Sequence, residues 1–221
     1  AVARHQSLDL APRCLDRCPG PPDMKTLRTH GSDLKPGKGA TATIYAVAHG
    51  ARESIEKYCH GFRRTVVIGQ QPEEGYQAMQ VDKLNADKYT DADYILFTDS
   101  DCILSTPVTP QTFIRYGKPM WLHRSWESAL EQEGDAVMRW HRGMTKFFGI
   151  EPPREFMCRH PELIPRWLYS AFRIYCYETH GKTMAEWVET DKEFADWNML
   201  GMYAWLYHRE AFHWINQSEV T

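Results

Sequence analysis

The 221-residue sequence has no long hydrophobic run, no excess of basic residues and no glycine-rich phosphate loop. No apolar stretch reaches the ~20 residues of a membrane-spanning helix, and no signal peptide is visible. We therefore expect no transmembrane segment and a cytoplasmic location. A formal net charge of −3 gives no basic footprint, so nucleic acid is not an expected partner. Because neither Gly-x-Gly-x-x-Gly nor a Walker loop occurs, the classical dinucleotide and P-loop nucleotide sites are excluded.

The cysteines show no metal-binding pattern. The six cysteines lie far apart, and Cys14-x-x-x-Cys18 has no second pair that could complete a zinc site. This distribution favours reduced thiols, although an even number of cysteines leaves disulfides open. The composition, 43% hydrophobic and 25% charged, is typical of a globular protein. Four prolines interrupt the first 22 residues, so we predict an irregular arm over 1–22 and a single domain over 23–221.

An apolar run followed by two aspartates is the most informative stretch of the chain. Tyr94–Thr98 is a continuous run of β-forming residues, which predicts a strand that is buried on both faces. Asp99 and Asp101 follow at its carboxyl end, and side chains two residues apart on extended chain point to the same side. Their hard oxygens suit Mg²⁺ or Mn²⁺ bridging to phosphate. The alternative is an ordinary Asp-Ser turn after a strand.

Strands and helices alternate ahead of this motif. We predict strands over Met24–His30, Arg64–Ile68 and Asp93–Thr98, with a helix over Gln77–Asp87. Residues Ala42–Tyr58 have apolar residues at helical spacing, whereas Thr41–Ala48 within them is also compatible with a strand. The alternation predicts an α/β fold with a parallel sheet and right-handed crossovers, similar to one half of a Rossmann fold.

Further elements are predicted after the aspartates. Pro119–Leu122 is expected to be a strand, and polar and aromatic groups follow it over His123–Glu127. Glu131–Gly149 and Leu168–His180 are expected to be helices. The spacing of residues in these two helices does not by itself indicate a catalytic or binding site.

A helix with Gln-x-x-Lys-x-x-x-Asp, within Tyr76–Tyr89, leads into the Asp-x-Asp strand, within Tyr94–Cys102. This combination resembles the GT-A glycosyltransferases, in particular small glycosyltransferases of bacteria and large DNA viruses, including chlorella viruses. The resemblance covers roughly residues 23–216; its other matching stretches are Ser54–Tyr58, His160–Arg166 and Phe194–Gly201. It implies a GT-A fold: a Rossmann-like nucleotide-sugar-binding domain whose mostly parallel central sheet is flanked by helices.

The resemblance also implies an activity and a site. The activity is metal-dependent transfer of a sugar from a nucleotide-diphosphate sugar, with a UDP-sugar favoured, to a hydroxyl of a glycan or other acceptor, with inversion. Asp99 and Asp101 would carry Mn²⁺ or Mg²⁺ and, through it, the diphosphate, and Asp101 is the preferred metal ligand. Lys83 would lie near phosphate or ribose, and Asp87 would lie beside the nucleotide or only brace its helix. The candidate nucleotide-binding residues are Thr29, Lys83, Asp87, Asp99, Ser100 and Asp101. The polar and aromatic groups of His123–Glu127 would lie near the donor sugar or the acceptor.

The resemblance assigns catalysis to Asp196. In inverting GT-A enzymes, an acid near the start of such a helix deprotonates the acceptor hydroxyl, and Asp196 matches that position. Related sequences usually have Ser-Glu where this chain has Ala195-Asp196, so the carboxylate here has a shorter reach. The alternative is an acid that only favours the helix dipole. A late histidine completes the metal site in several GT-A families, and His213 is preferred to His208 for that role, with a structural histidine as the alternative.

Two other functions remain open from the sequence. A strand followed by Asp99-Ser100-Asp101 also resembles the haloacid-dehalogenase phosphatases, in which the first aspartate is a nucleophile and the second an acid/base. In that family the motif normally lies on the first strand, and Ile103 replaces the usual Thr or Val two residues on. The other alternative is a catalytically inactive domain that binds a nucleotide or a glycan.

Overall fold

The computed structural model describes residues 43–46, 64–67, 75–97, 110–158 and 161–219, which form a mixed α/β fold. The strands are β1 Thr43–Ala46, β2 Arg64–Val67, β3 Tyr94–Phe97, β4 Ile114–Arg115, β5 Lys118–His123, β6 Glu162–Pro165 and β7 His213–Asn216. The α-helices are α1 Gly75–Leu84, α2 Pro110–Phe113, α3 Trp126–Glu133, α4 Met138–Phe148, α5 Arg166–His180, α6 Met184–Thr190 and α7 Asp196–Tyr207. Short 3₁₀ helices cover Ala86–Lys88, Asp135–Val137, Arg209–Ala211 and Gln217–Glu219.

The described strands form three small sheets. β1 and β2 pair in parallel, β3 and β6 pair antiparallel, and β5 lies between an antiparallel β4 and a parallel β7. The predicted mostly parallel central sheet is therefore not found among the described residues. The register places Tyr94 opposite Pro165 and Phe97 opposite Glu162. The order of strands and helices before Asp99 predicted that the neighbours of β3 would be parallel to it. Instead, one edge of β3 pairs with the antiparallel strand β6, which comes much later in the chain.

Two other predictions need correction. Thr43–Ala46 is a strand, so the helix predicted there is wrong and the alternative is confirmed; β-branched residues favour extended chain over the helical spacing. The helix predicted over 131–149 is two helices, α3 and α4, because Gly134 adopts a positive φ of 73°. α3 begins earlier than predicted, where Ser125 Oγ accepts a hydrogen bond from Ser128 N at 3.1 Å. The strand predicted over Met24–His30 lies outside the described residues.

The strand β3 has one face in the core and one at the surface. Ile95 and Phe97 pack against the core, whereas Leu96, which points the other way, is 41% exposed. The prediction of a strand buried on both faces is therefore wrong. Successive side chains of a strand point to opposite faces, and an apolar run alone does not determine whether both are covered.

Helix α7 forms the centre of the core. Every residue from Asp196 to Ala204 is buried, and the helix packs against α5 through Phe172 and Tyr203, whose ring centroids lie 5.3 Å apart. At Gly201 an added Cβ would lie 2.4 Å from Phe156 Cβ and 3.2 Å from Trp121 Cζ2. Only glycine leaves room for so close an approach. The middle of α7 is thus packed tightly against Phe156 and Trp121.

Candidate functional site

One polar face of α1 holds the amino end of α7. Gln77, Gln80 and Lys83 follow one another at a spacing of three residues, which places neighbouring members on the same face of a helix. Gln77 Nε2 donates to Val188 O at 2.9 Å, and Gln80 Oε1 accepts from Asp196 N at 3.2 Å. Lys83 Nζ lies 3.8 Å from Asp196 Oδ2. The helix predicted to lie beside a nucleotide therefore contacts the predicted catalytic acid directly.

Asp196 is the first residue of α7 and only 3% exposed. Its Oδ1 accepts a hydrogen bond from Trp197 N at 2.9 Å, so the carboxylate lies at the positive end of the helix dipole. The Lys83 ammonium provides a second positive charge and also lies 5.6 Å from the centroid of the Trp197 ring. Both surroundings stabilise a negative charge on Asp196.

The carboxyl end of β3 lies against this helix end. The Phe97 ring meets the Trp197 ring edge-on with centroids 4.7 Å apart, and its centroid is 6.4 Å from that of Tyr169. Phe97 is the last described residue of β3 and precedes Asp99 by two positions. The predicted site residues Thr29, Asp99, Ser100 and Asp101 all lie outside the described residues.

Sequence reasoning missed two polar residues of this region. Tyr169 on α5 is fully buried, and its hydroxyl has no hydrogen-bond partner among the described residues. Burial raises the pKa of Tyr169 well above its usual range, and the negative charges of Glu162, Asp87 and Asp196 act in the same direction. Glu162 is itself buried. Nothing near Glu162 in the sequence signals this, because only the antiparallel pairing of β6 with β3 places it opposite Phe97.

Asp87 is held by an arginine. Arg173 Nη1 donates to Asp87 Oδ1 at 2.6 Å, and Nη2 donates to Asp87 Oδ2 at 2.7 Å. The same guanidinium donates to Leu84 O at 2.7 Å. A bidentate arginine–carboxylate pair of this kind is among the stronger ion pairs, and here it connects the end of α1 to α5. A bracing role for Asp87 is therefore present in the structure, whereas its contact with a nucleotide stays a prediction.

Neither candidate histidine lies beside Asp196. His208 follows the last residue of α7, so it is separated from Asp196 by twelve positions, roughly 18 Å along a helix axis. Its Nε2 lies 3.2 Å from Tyr203 Oη, and burial lowers its pKa. His213 pairs with Met120 in the β5–β7 ladder and contacts Tyr116, with ring centroids 5.4 Å apart.

The metal site is not assembled within the described part of the chain. There, no three histidine, cysteine, aspartate or glutamate side chains lie close enough together to hold a metal ion. The predicted ligands Asp99 and Asp101 fall outside that part, and His213 belongs to no such group of three within it. The described residues alone therefore do not fit a bound Mn²⁺ or Mg²⁺.

The segment His123–Glu127, predicted to lie near a sugar, mostly makes internal contacts. Arg124 Nε donates to Glu155 Oε2 at 2.8 Å, and the guanidinium also pairs with Glu133. Trp126 Nε1 donates to Pro152 O at 2.9 Å. These side chains fasten the start of α3 to the segment before β6, and Arg124, which is 3% exposed, is not available for a sugar contact in this arrangement.

Comparison with known proteins assigns no function to this site. None of the described helices is both long and apolar enough to cross a bilayer. Comparisons with protein-family models, with curated proteins and with solved structures find no significant match to this chain.

Proposed function

We propose that the protein is a metal-dependent glycosyltransferase that moves a sugar from a nucleotide-diphosphate sugar, with a UDP-sugar favoured, to a hydroxyl of a glycan or other acceptor, with inversion. The packing of Phe97 against Trp197 is the observation that supports it best. β3 leads into Asp99-Ser100-Asp101, and α7 begins at Asp196. The contact therefore brings the strand before the predicted metal ligands beside the helix that carries the predicted base.

The finer fold belongs to the same proposal. A GT-A domain has a parallel nucleotide-binding half, and the parallel pairing of β1 with β2 is consistent with it. Lys83 and Asp87 lie on the segment just before β3, as the resemblance implies for residues beside the nucleotide.

The chemistry needs a stabilised leaving group and a base. Mn²⁺ or Mg²⁺ held by Asp99 and Asp101 would stabilise the negative charge that develops on the leaving diphosphate. Asp196 would accept the proton of the acceptor hydroxyl as its oxygen attacks. The amino end of α7 and the Lys83 ammonium place positive charge beside that carboxylate, and these contacts hold it in one place.

Nucleotide binding tests the proposal directly. Calorimetry with UDP and GDP should show binding that requires Mn²⁺ or Mg²⁺, because the chain has no glycine-rich loop to hold the phosphates by itself. Asp101→Ala should abolish this binding, whereas Asp135→Ala, which removes an exposed acid elsewhere, should not change it. Binding without metal, or no binding of either nucleotide, would contradict the proposal. Steady phosphate release from a phosphomonoester would favour the phosphatase alternative.

Turnover tests the role of Asp196. Asp196→Asn should lose about 10²- to 10⁴-fold in rate, since the amide keeps the contacts but cannot accept the proton. Its donor binding should not weaken. Hydrolysis of a panel of UDP- and GDP-sugars measures this without a known acceptor, and Glu189→Gln, a change at an exposed acid of α6, is the matched control. A loss under about tenfold, or product with retained anomeric configuration by NMR, would remove Asp196 from the mechanism.

A further inference from the structure

The β4–β5 turn holds the most exposed large hydrophobic side chain among the described residues. Tyr116 is 80% exposed, and it forms a two-residue turn with Gly117, since Arg115 pairs with Lys118 in the ladder. Both turn residues have a positive φ, 52° at Tyr116 and 74° at Gly117. Such turns favour Asn-Gly or Asp-Gly, and a bulky residue in this backbone region is an outlier. Tyr116 therefore gains little from burial and occupies an unfavourable backbone conformation, which points to a role outside folding.

The side chains beside this turn lie on the outer face of the sheet. Arg115 lies opposite Lys118 in the β4–β5 ladder, so both side chains share one face. Met120 is two residues further along β5 and lies opposite His213, which places His213 on that face as well. Trp121 points the other way and is 2% exposed, so the core lies behind the opposite face. The turn surface, as we call it, consists of Arg115, Tyr116, Lys118 and His213.

The turn surface carries positive charge that the fold leaves largely unpaired. The Arg115 guanidinium lies 5.5 Å from the centroid of the Tyr116 ring, and no carboxylate of the described residues pairs with it. The His213 ring meets the Tyr116 ring edge-on, with centroids 5.4 Å apart. Lys118 Nζ is 3.8 Å from Glu210 Oε2, but these side chains are 42% and 97% exposed, so the pair is weak. An anion thus finds an unpaired guanidinium and a loosely held ammonium beside an exposed aromatic ring.

We propose that the turn surface binds an anionic glycan, a chain of sugar units that carry carboxylate or sulfate groups. The open face of the Tyr116 ring packs against the C–H face of a sugar ring. The planar Arg115 guanidinium matches the geometry of a carboxylate and holds the anionic group, with Lys118 as a second cation. The choice of a glycan over an acidic peptide rests on the proposed function, in which a glycan is the acceptor.

The turn surface lies near the end of α7 that is opposite to Asp196. Glu210, which pairs with Lys118, follows the last residue of α7 by three positions, whereas Asp196 is the first residue of that helix. The twelve residues of α7 extend over roughly 18 Å. The turn surface therefore holds a distant part of the glycan rather than the reacting hydroxyl, and it contributes affinity for the acceptor chain.

Calorimetry on the full chain, without nucleotide or metal, tests this inference with a heparin hexasaccharide as the anionic glycan. Tyr116→Asn should weaken its binding by about threefold to tenfold, because the stacked ring is lost. Arg115→Gln should weaken it by about twofold to fivefold, because an exposed charge is lost. The matched controls are Tyr177→Asn, at a tyrosine that is 62% exposed, and Arg139→Gln, at an exposed arginine 5.3 Å from the Trp140 ring. Neither control should change the affinity.

Two further probes define the ligand class. Maltohexaose is a neutral glycan and hexaglutamate an acidic peptide, and neither should bind as tightly as the heparin hexasaccharide. Asparagine suits the positive φ at position 116, so Tyr116→Asn should not lower the urea midpoint of unfolding. A lower midpoint would show that Tyr116 serves the fold and would remove the reason for a ligand.

The inference is overturned if the parent does not bind the hexasaccharide, if both turn variants bind it like the parent, or if hexaglutamate or maltohexaose binds equally well. Because this assay contains no nucleotide or metal, such a result leaves the proposed function to the separate test of UDP binding with Mn²⁺. A parent that binds the hexasaccharide through Tyr116 and Arg115 but binds no nucleotide would overturn the proposed function and support the glycan-binding surface.

Discussion

Glu155 is a fully buried acid, and both oxygens of its carboxylate accept hydrogen bonds. It accepts hydrogen bonds from Arg124 Nε at 2.8 Å, Asn198 Nδ2 at 3.0 Å and Met157 N at 2.7 Å. Asn198 Oδ1 in turn accepts from Phe156 N at 2.7 Å. The network joins β5, the segment before β6 and the first turn of α7. Because Asn198 is two residues from Asp196, the network also fixes the position of the predicted base.

Removal of one charge from this network should be costly. Glu155→Gln removes the charge that faces the buried Arg124, which keeps Glu133 as its remaining carboxylate partner, and the free energy of unfolding should fall by about 1.5–3 kcal/mol. Urea unfolding at pH 7 measures the change. Glu210→Gln is the matched control, because Glu210 pairs with Lys118 at 3.8 Å but has a 97% exposed side chain. Its effect should stay below about 1 kcal/mol, and an equally small effect of Glu155→Gln would show that the buried pair contributes little.

At the scale of residues, the sequence was informative where a stretch could be compared with a known family. Lys83 and Asp196 could be singled out by the resemblance to the GT-A glycosyltransferases, and the structure brings them together. Glu162 and Tyr169 could not, because each reaches this region through contacts between elements that are distant in the chain. The buried role of Arg124 was missed for the same reason: its partner Glu155 is 31 residues away.

At the scale of elements, regular patterns with clear ends were predicted well. The strand before Asp99, the helix that ends at Gly181 and the helix that opens at Asp196 are confirmed as β3, α5 and α7. Gly181 has a φ of 65°, which allows the reversed turn that ends α5. The break between α3 and α4 at Gly134 was not predicted. Apolar residues on both sides of Gly134 continue a helical spacing through it, so the spacing alone does not show where one helix ends and the next begins.

Strand pairing was the least predictable feature among the elements. β3 and β6 are separated by more than sixty residues, and their antiparallel register depends on how α3 and α4 return the chain. Helix and strand periodicity carry no information about that path. For this reason the α/β class could be predicted, whereas the arrangement of the described sheets could not.

At the scale of the whole molecule, the aromatic core packs against two half-buried histidines. His180 packs against Phe147 and Trp187, with ring centroids 4.6 and 5.0 Å away, and His208 packs against Trp167 at 4.8 Å. Burial lowers the pKa of both histidines, and the charge of Lys182 adds to the effect at His180. The folded protein therefore favours their neutral forms.

This arrangement predicts a loss of stability in mild acid. An unfolded histidine titrates near about 6.5, so below that pH the unfolded chain binds more protons than the folded one. The histidine contribution is complete above about pH 6.5 and is lost as the pH falls towards the lowered folded pKa, by at most about 1.4 kcal/mol per pH unit for each histidine. Urea unfolding at pH 7.5 and 5.5 should show a smaller difference for His208→Gln than for the parent.

The comparison between parent and variant separates the histidine from other groups. Burial raises the pKa of Asp82 and Glu155, and raised acids act with the opposite sign, since they favour the folded state as the pH falls. Both acids are present in parent and variant, so they cancel in the difference between them. Equal pH dependence in the two proteins would show that His208 is not held neutral by the fold.

The close contact at Gly201 also restricts how this chain can change over evolutionary time. A single substitution there places a methyl group inside the Phe156 side chain, and the backbone of α7 has no free space into which it could retreat. Position 201 can therefore vary only together with Phe156 or Trp121, and no single step leads to the double change without a poorly packed intermediate. The frame that carries Asp196 is therefore less free to change at this contact than the exposed positions of the molecule are.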